Sequence, residues 1–168
     1  MKIEIRQWYL QDKEAFIELN NTVDCTYNDS LLEKPTTDFA VHNWIMCMVD
    51  SEFVGTLFRA VVADGKVVGQ VQIIRPRGNH SVDGELGFVM LPEYCNKGIA
   101  TEAVRLIVEE AFDRLPYERI SAVVYEPNIA SIRVLEKNGF KLEGRKANAV
   151  QSNGVVYNTL LYGLLRKK

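Results

Sequence analysis

The chain has 168 residues, 47% hydrophobic and 25% charged, with a formal net charge of −2. That length suits one domain, 1–168, burying about two-thirds of its unfolded surface, and the charge excludes an electrostatic fit to nucleic acid. No apolar run approaches the roughly 20 residues of a membrane helix and no charged-then-apolar leader opens the chain, so no membrane partner and a cytoplasmic location are expected.

In chain order, Lys2 to Trp8 alternates as a first strand with Ile3 and Ile5 on one face. Asp12 is placed to cap a helix running to about Asn21, with Ala15, Phe16 and Leu19 inward. The polar stretch 20–35 reads as loop, with a short helical piece as the alternative. A second helix opens at Thr36, Thr37 or Asp38 and runs to about Val49, with Val41, Trp44, Ile45 and Met48 at helical spacing. Phe58 to Ala63 and Lys66 to Arg75 are two strands joined by Asp64-Gly65, a dipeptide that supplies the positive dihedrals of a tight hairpin. After a loop over 76–82, Glu85 to Met90 is a strand stopped by Leu91-Pro92.

A polar loop, 93–98, then leads into a long helix from near Ile99, with Ala100, Val104, Ile107, Val108, Ala111, Phe112 and Leu115 on one face. Beyond Pro116, Ile120 to Tyr125 is a short apolar strand. Asn128 caps a further helix with Ile132 and Leu135 inward, and Asn138-Gly139 ends it. Phe140 to Val150 and Val155 to Leu165 close the chain as a hairpin around Ser152-Asn153-Gly154, and Arg166-Lys167-Lys168 is a solvated tail. The order is strand, two helices, three strands, helix, strand, helix, two strands. It implies an α/β (α+β) domain whose mixed sheet has helices on both faces.

The chemistry concentrates where the loop meets the long helix. A helix start presents N–H groups without partners and the positive end of the dipole. Gly98 leaves that backbone open, Ala100 is small, and Thr101 adds a hydroxyl, which together suit a phosphate or pyrophosphate. A glycine placed there only for its dihedral angles is the competing explanation. Cys25, Cys47 and Cys95 are scattered and His42 and His80 stand alone, so no metal site is expected. Cys95, just before a helix, offers a Cys/His nucleophile with a thiol of lowered pKa, against which an inert loop cysteine is the preferred reading.

These elements and residues resemble the GNAT superfamily of acyl-CoA-dependent N-acetyltransferases, in particular its ribosomal-protein N-terminal and polyamine acetyltransferase branch. The family loop (Arg or Gln, two residues, Gly, one residue, Gly or Ala) matches Cys95-Asn96-Lys97-Gly98-Ile99-Ala100 except at Cys95. Asn128-Ile129-Ala130-Ser131 and Glu136-Lys137-Asn138-Gly139-Phe140 match the later helix, and Glu85-Leu86-Gly87-Phe88 with Pro92-Glu93-Tyr94 the central strand.

The resemblance implies a mostly antiparallel seven-stranded sheet and acetyl-CoA as co-substrate. The coenzyme A pyrophosphate is then expected on the amides from Asn96 through Lys97, Gly98, Ile99 and Ala100 to Thr101. Its pantetheine arm is expected along Phe88, Val89 and Met90, with Asn128 and Ser131 opposite. Cys95 in place of Arg or Gln removes a donor, so weaker coenzyme A binding is expected, with Lys97 or another cation compensating. The implied reaction moves an acetyl group to a primary amine (a protein N-terminus, a polyamine or a small-molecule amine) through a tetrahedral intermediate.

Glu85 is the candidate base, directly or through a water, with binding of the substrate ammonium or plain ion pairing as its alternatives. An N–H at Val89 or nearby would meet the oxyanion. The family's acidic tyrosine is replaced by Leu135, leaving Ser131 or Tyr125 as substitutes. Tyr27, Asp29, His42, Trp44, Asn79 and His80 are candidate acceptor contacts, and the resemblance leaves a homodimer open. Two other readings compete: a non-catalytic acyl-CoA-binding sensor on the same fold, and a nucleotide-binding α/β protein. The second lacks both G-x-x-x-x-G-K-[ST] and G-x-G-x-x-G.

Overall fold

The computed structural model describes residues 1–24, 26–27, 36–50, 55–75 and 81–167. Its strands are β1 (Ile3–Arg6), β2 (Leu57–Ala63), β3 (Lys66–Ile74), β4 (Asp83–Met90), β5 (Arg119–Tyr125), β6 (Lys141–Ser152) and β7 (Val155–Leu165). Its helices are α1 (Lys13–Thr22), α2 (Asp38–Asp50), α3 (Ile99–Arg114) and α4 (Ile129–Lys137). The strands form one seven-stranded sheet in the order β1-β2-β3-β4-β5-β7-β6, with β4 and β5 the parallel pair. Every expected element is present, and the boundaries shift by a few residues.

Two apolar layers sandwich the first half of the sheet. On one face, Trp8, Phe16, Leu19, Val41 and Ile45 pack against Ala60, Val62 and Val67, placing α1 and α2 there. On the other, Ile99, Ala103, Val104, Ile107 and Ala111 of α3 are fully buried against Val61, Val71, Ile73, Leu86 and Ile120. The turns obey local chemistry: Asp64 and Gly65 have φ of 47° and 85°, and Asn153 and Gly154 have 49° and 79°. Two successive positive dihedrals give each hairpin a two-residue turn that follows the strand twist, so the second turn is Asn153-Gly154 and Ser152 belongs to β6.

Three expectations are corrected. β1 is four residues long, because beyond Arg6 the chain turns into a short 3-10 segment, Leu10–Asp12, and Trp8 leaves the strand for the core. Asp12 precedes α1 without capping it. Its carboxylate instead accepts from Arg6 at 2.6 and 2.9 Å and from the Tyr9 N–H at 2.9 Å. Burial pushes the Asp12 carboxyl up, but these donors outweigh it and hold it below its ordinary value. Arg166 is no free tail residue: its guanidinium donates to the carbonyls of Phe112, Leu115 and Tyr117, closing the end of α3.

Candidate functional site

The site begins with unequal pairing around β4. Toward β3 it is matched from Ile74–Glu85 to Gly69–Met90. Toward β5 only Asp83–Arg119, Gly84–Ile120 and Glu85–Ser121 are matched, while β5 runs on beside β7 as far as Tyr125–Thr159. Leu86 to Met90 and Ala122 to Tyr125 therefore diverge, and a wedge opens between two central strands. A parallel pair slants its hydrogen bonds and is slightly less stable per residue, so this is the pairing that gives way at least cost.

A cleft of about 610 Å³ occupies the wedge and continues over the start of α3, a volume typical of small-molecule sites. Phe88, Val89 and Met90 form one wall, and Asn128 and Ser131 stand in the other. Tyr94, Cys95, Asn96, Gly98, Ile99, Ala100 and Thr101 close the end. Lys97 is not in the lining; its ammonium stands 5.3 Å from the Tyr94 ring centroid, with Lys66 at 5.5 Å from the same ring. These placements bring together all the expected cofactor residues except Lys97, which flanks them.

At the closed end, Gly98 has φ of 78° and α3 starts without a side-chain cap. Its first helical bond runs from the Glu102 N–H to the Gly98 carbonyl at 3.1 Å. The amides of Ile99, Ala100 and Thr101 thus precede the first intrahelical bond and face the cleft end, where an anion fits. A Cβ added to Gly98 would meet nothing within 4 Å, so the glycine is there for its dihedral and the open approach. In the opposite wall, the Asn128 side-chain oxygen accepts from the Ser131 N–H at 3.1 Å. That oxygen caps α4, leaving the Asn128 amide nitrogen for a ligand carbonyl.

Partial burial of its sulfur, then the nearby Glu93 carboxylate, pushes the Cys95 thiol up from its ordinary value, which favours the inert loop cysteine over the thiol of lowered pKa. Its Sγ lies 3.7 Å from the Leu91 carbonyl. His42 sits exposed on α2, and among the described residues no cluster of His, Cys, Asp and Glu is arranged to hold a metal. None of the described helices is long and apolar enough to cross a membrane.

The chemistry-bearing side chains separate into two sets. Ser131 lines the cleft, whereas Glu85 is exposed at the narrow root of the wedge and outside that lining. Tyr125 is packed with Tyr27 and Tyr157 at centroid distances of 6.2 and 5.9 Å, also outside the lining. Leu135 is 1% exposed and belongs to the core. Trp44 stacks on Phe16 at 4.3 Å in the α1–α2 layer. Asp29, Asn79 and His80 lie outside the described residues.

Sequence reasoning missed Asp24, Arg133 and Lys137, which line the cleft. Arg133 and Lys137 stand one turn apart on the face of α4 that also carries Ile129 and Ala130 of the lining, a spacing that could have marked them. Asp24 follows α1 and carries no local signal.

The Acetyltransferase (GNAT) domain family matches residues 2–141. The chain is 38% identical over 106 residues to the probable N-acetyltransferase YjcK of Bacillus subtilis, covering 63% of this chain and 58% of that relative. This chain thus spans under two-thirds of that protein's length. It is 26% identical over 156 residues to the spermidine N(1)-acetyltransferase of Escherichia coli, covering 93% and 70%. Among solved structures, RimJ of Mycobacterium smegmatis, in complex with CoA-disulfide, superposes with a TM-score of 0.84 at 19% identity, covering 97% of this chain and 81% of that one.

Proposed function

We propose that this chain, which belongs to the acetyltransferase (GNAT) family, moves an acetyl group from acetyl-CoA to a primary amine. The observation that carries this reading is the wedge between β4 and β5, which leads straight to the uncapped start of α3. A pantetheine arm carries amides spaced like a peptide. It pairs with the unmatched edge of β4 as an added strand would, while the diphosphate rests on the α3 amides. Lys66 and Lys97, held over Tyr94, supply positive charge near Cys95, where the family has Arg or Gln.

The amine attacks the thioester carbonyl, and an N–H of β4 beside Val89 meets the oxyanion: the Val89 N–H itself points to Gln70 of β3, whereas those of Phe88 and Met90 face the wedge. Glu85 and Val89 point to the same face, four residues apart and about 13 Å along the strand, so Glu85 takes the amine proton through a chain of waters. A free α-amine, pKa about 8, is roughly 10% neutral at pH 7, whereas a lysine-like amine, pKa about 10.4, needs the base far more. Ser131, in the cleft wall, is the candidate proton donor to the departing thiolate, its hydroxyl passing on a proton that it takes back from water. A thiol of pKa about 8.5 leaves readily, which makes the buried Leu135 tolerable in place of an acid. The site is contained in a single domain, working in the cytoplasm, and a homodimer fits the family.

Mass spectrometry of peptides, polyamines, amino acids and aminoglycosides incubated with acetyl-CoA tests the reaction. An acetylated amine is expected. Saturable acetyl-CoA binding with no acetylated product would point instead to a sensor. Glu85→Gln should lower kcat/KM by about 10²–10⁴ and flatten its rise with pH; an unchanged rate and pH profile would remove Glu85 from the mechanism.

A further inference from the structure

Acetyl transfer leaves the class of acceptor open, and one polar row on the sheet bears on it. On β3, Gln70 and Gln72 stand opposite Val89 and Gly87. Paired residues share a face and alternate residues along a strand return to it. Gln70 and Gln72 therefore project on the side that carries Glu85 and Val89, the face beneath α1 and α2. The Gln72 amide lies across β4 at Gly87: a Cβ there would stand 3.0 Å from Gln72 Nε2 and 3.3 Å from its Cγ. A side chain at 87 would press on that amide and make it give by a few tenths of an ångström.

Gln70 fixes which end of Gln72 is on offer. It is 1% exposed and donates from Nε2 to Gln72 Oε1 at 2.9 Å. The Gln72 oxygen is thereby occupied, and its N–H groups have no acceptor among the described residues. The Oε1 of Gln70 is itself buried without a partner, a loss of stability that an apolar residue would avoid. What this costly glutamine supplies is the orientation of its neighbour. Two residues along β4 from Gly87, about 7 Å by strand rise, stands the exposed Glu85 carboxylate.

We propose that Gln72 is a specificity residue that donates to a carbonyl or carboxylate oxygen beside the acceptor's amine, so that the acceptor is an α-amino carbonyl compound. A peptide N-terminus or an amino acid has an amine and an oxygen three bonds apart, matching a carboxylate next to an N–H donor. A polyamine carries donors only; it satisfies Glu85 and leaves the half-buried Gln72 amide facing another donor. A site built to donate to a substrate oxygen discriminates against the analogue that lacks it. This inference rests on the acetyl-transfer reading and adds the acceptor class to it.

The test compares kcat/KM for a short peptide amide, a linear alkylamine and spermidine, each with acetyl-CoA, in the wild type and in Gln72→Leu and Gln72→Glu. With rates expressed per neutral amine, so that the lower α-amine pKa does not enter, the wild type should prefer the peptide over the alkylamine by about tenfold or more, as one oriented hydrogen bond allows. Gln72→Leu should bring that ratio to within about threefold of one, chiefly through the peptide's KM. Gln72→Glu keeps the length but places an acceptor where the donor was, and should invert the preference toward spermidine. Thermal unfolding of both variants reports on folding, and either one suffices for the comparison. Equal wild-type rates on peptide and alkylamine, or an unchanged ratio in the variants, would overturn this inference while leaving acetyl transfer standing. No product from any amine would overturn both.

Discussion

Two helices begin at the edge of the same cleft, and they begin differently. At α4 the orphan amide of Ser131 is taken by the Asn128 side chain at 3.1 Å. At α3 the chain enters through Gly98, left-handed at φ 78°, and no side chain caps the turn. Both starts face the cleft, so exposure does not account for the difference. A cap is worth about 0.5–2 kcal/mol, and α3 forgoes it. An uncapped helix start keeps its partial positive charge for a ligand; a capped one spends it on its own fold. The comparison assigns the phosphate end of the cleft to α3 and a positioning role to α4.

The largest effect should come from filling the open start. Thr101→Glu puts a carboxylate in the first turn of α3, where it favours the helix dipole by a few tenths of a kcal/mol but meets the diphosphate at close range. Two like charges about 4 Å apart near a protein surface repel by about 4 kcal/mol. Acetyl-CoA affinity should therefore fall at least 100-fold by calorimetry, with the melting temperature held or raised. A loss of stability with affinity intact would break the contrast. Asn128→Ala is the reciprocal change. It should cost about 1 kcal/mol of stability by denaturant unfolding, with a smaller loss of affinity from the missing amide nitrogen.

A smaller effect tests the charge around the open start. Cys95→Arg restores the donor usual in the family and should tighten acetyl-CoA by about 1 kcal/mol, roughly fivefold, at this exposed position. Equal or weaker binding would show that Lys66 and Lys97 already fill the role. The smallest effect concerns the thiol itself. Because partial burial of the sulfur in an otherwise exposed residue, together with Glu93, raises its pKa, Cys95 is less ionised than a free thiol through the neutral range and gains thiolate only as pH rises past its ordinary value. Iodoacetamide should label it more slowly than free cysteine at pH 7.5. Faster labelling would mean that the α3 dipole, not burial, controls the loop.

Most of the fold was legible because its signals are local. Asp64-Gly65 and the 153–154 pair announce their turns by dihedral demand, and the α3 stripe announces its buried face. The cofactor end was legible for the same reason, since glycine, small residue and hydroxyl are consecutive. The wedge was not: β4 and β5 each read as ordinary strands, and their parting depends on lateral pairing that no single stretch encodes. Asp12 was misread because a capping residue six positions from an arginine can serve either partner, and Arg6 wins. Gln70 and Gln72 alternate as solvent-facing residues would, yet α1 and α2 cover that face.

Amide hydrogen exchange with and without saturating acetyl-CoA tests the central claim most directly, because it reads the wedge and the helix start in one experiment. The account predicts slowed exchange in two separated stretches, the unmatched length of β4 around Phe88 to Met90 and the first turn of α3 from Ile99 to Thr101, with little change at the capped start of α4. Protection elsewhere, or none at a concentration that saturates binding, would contradict it.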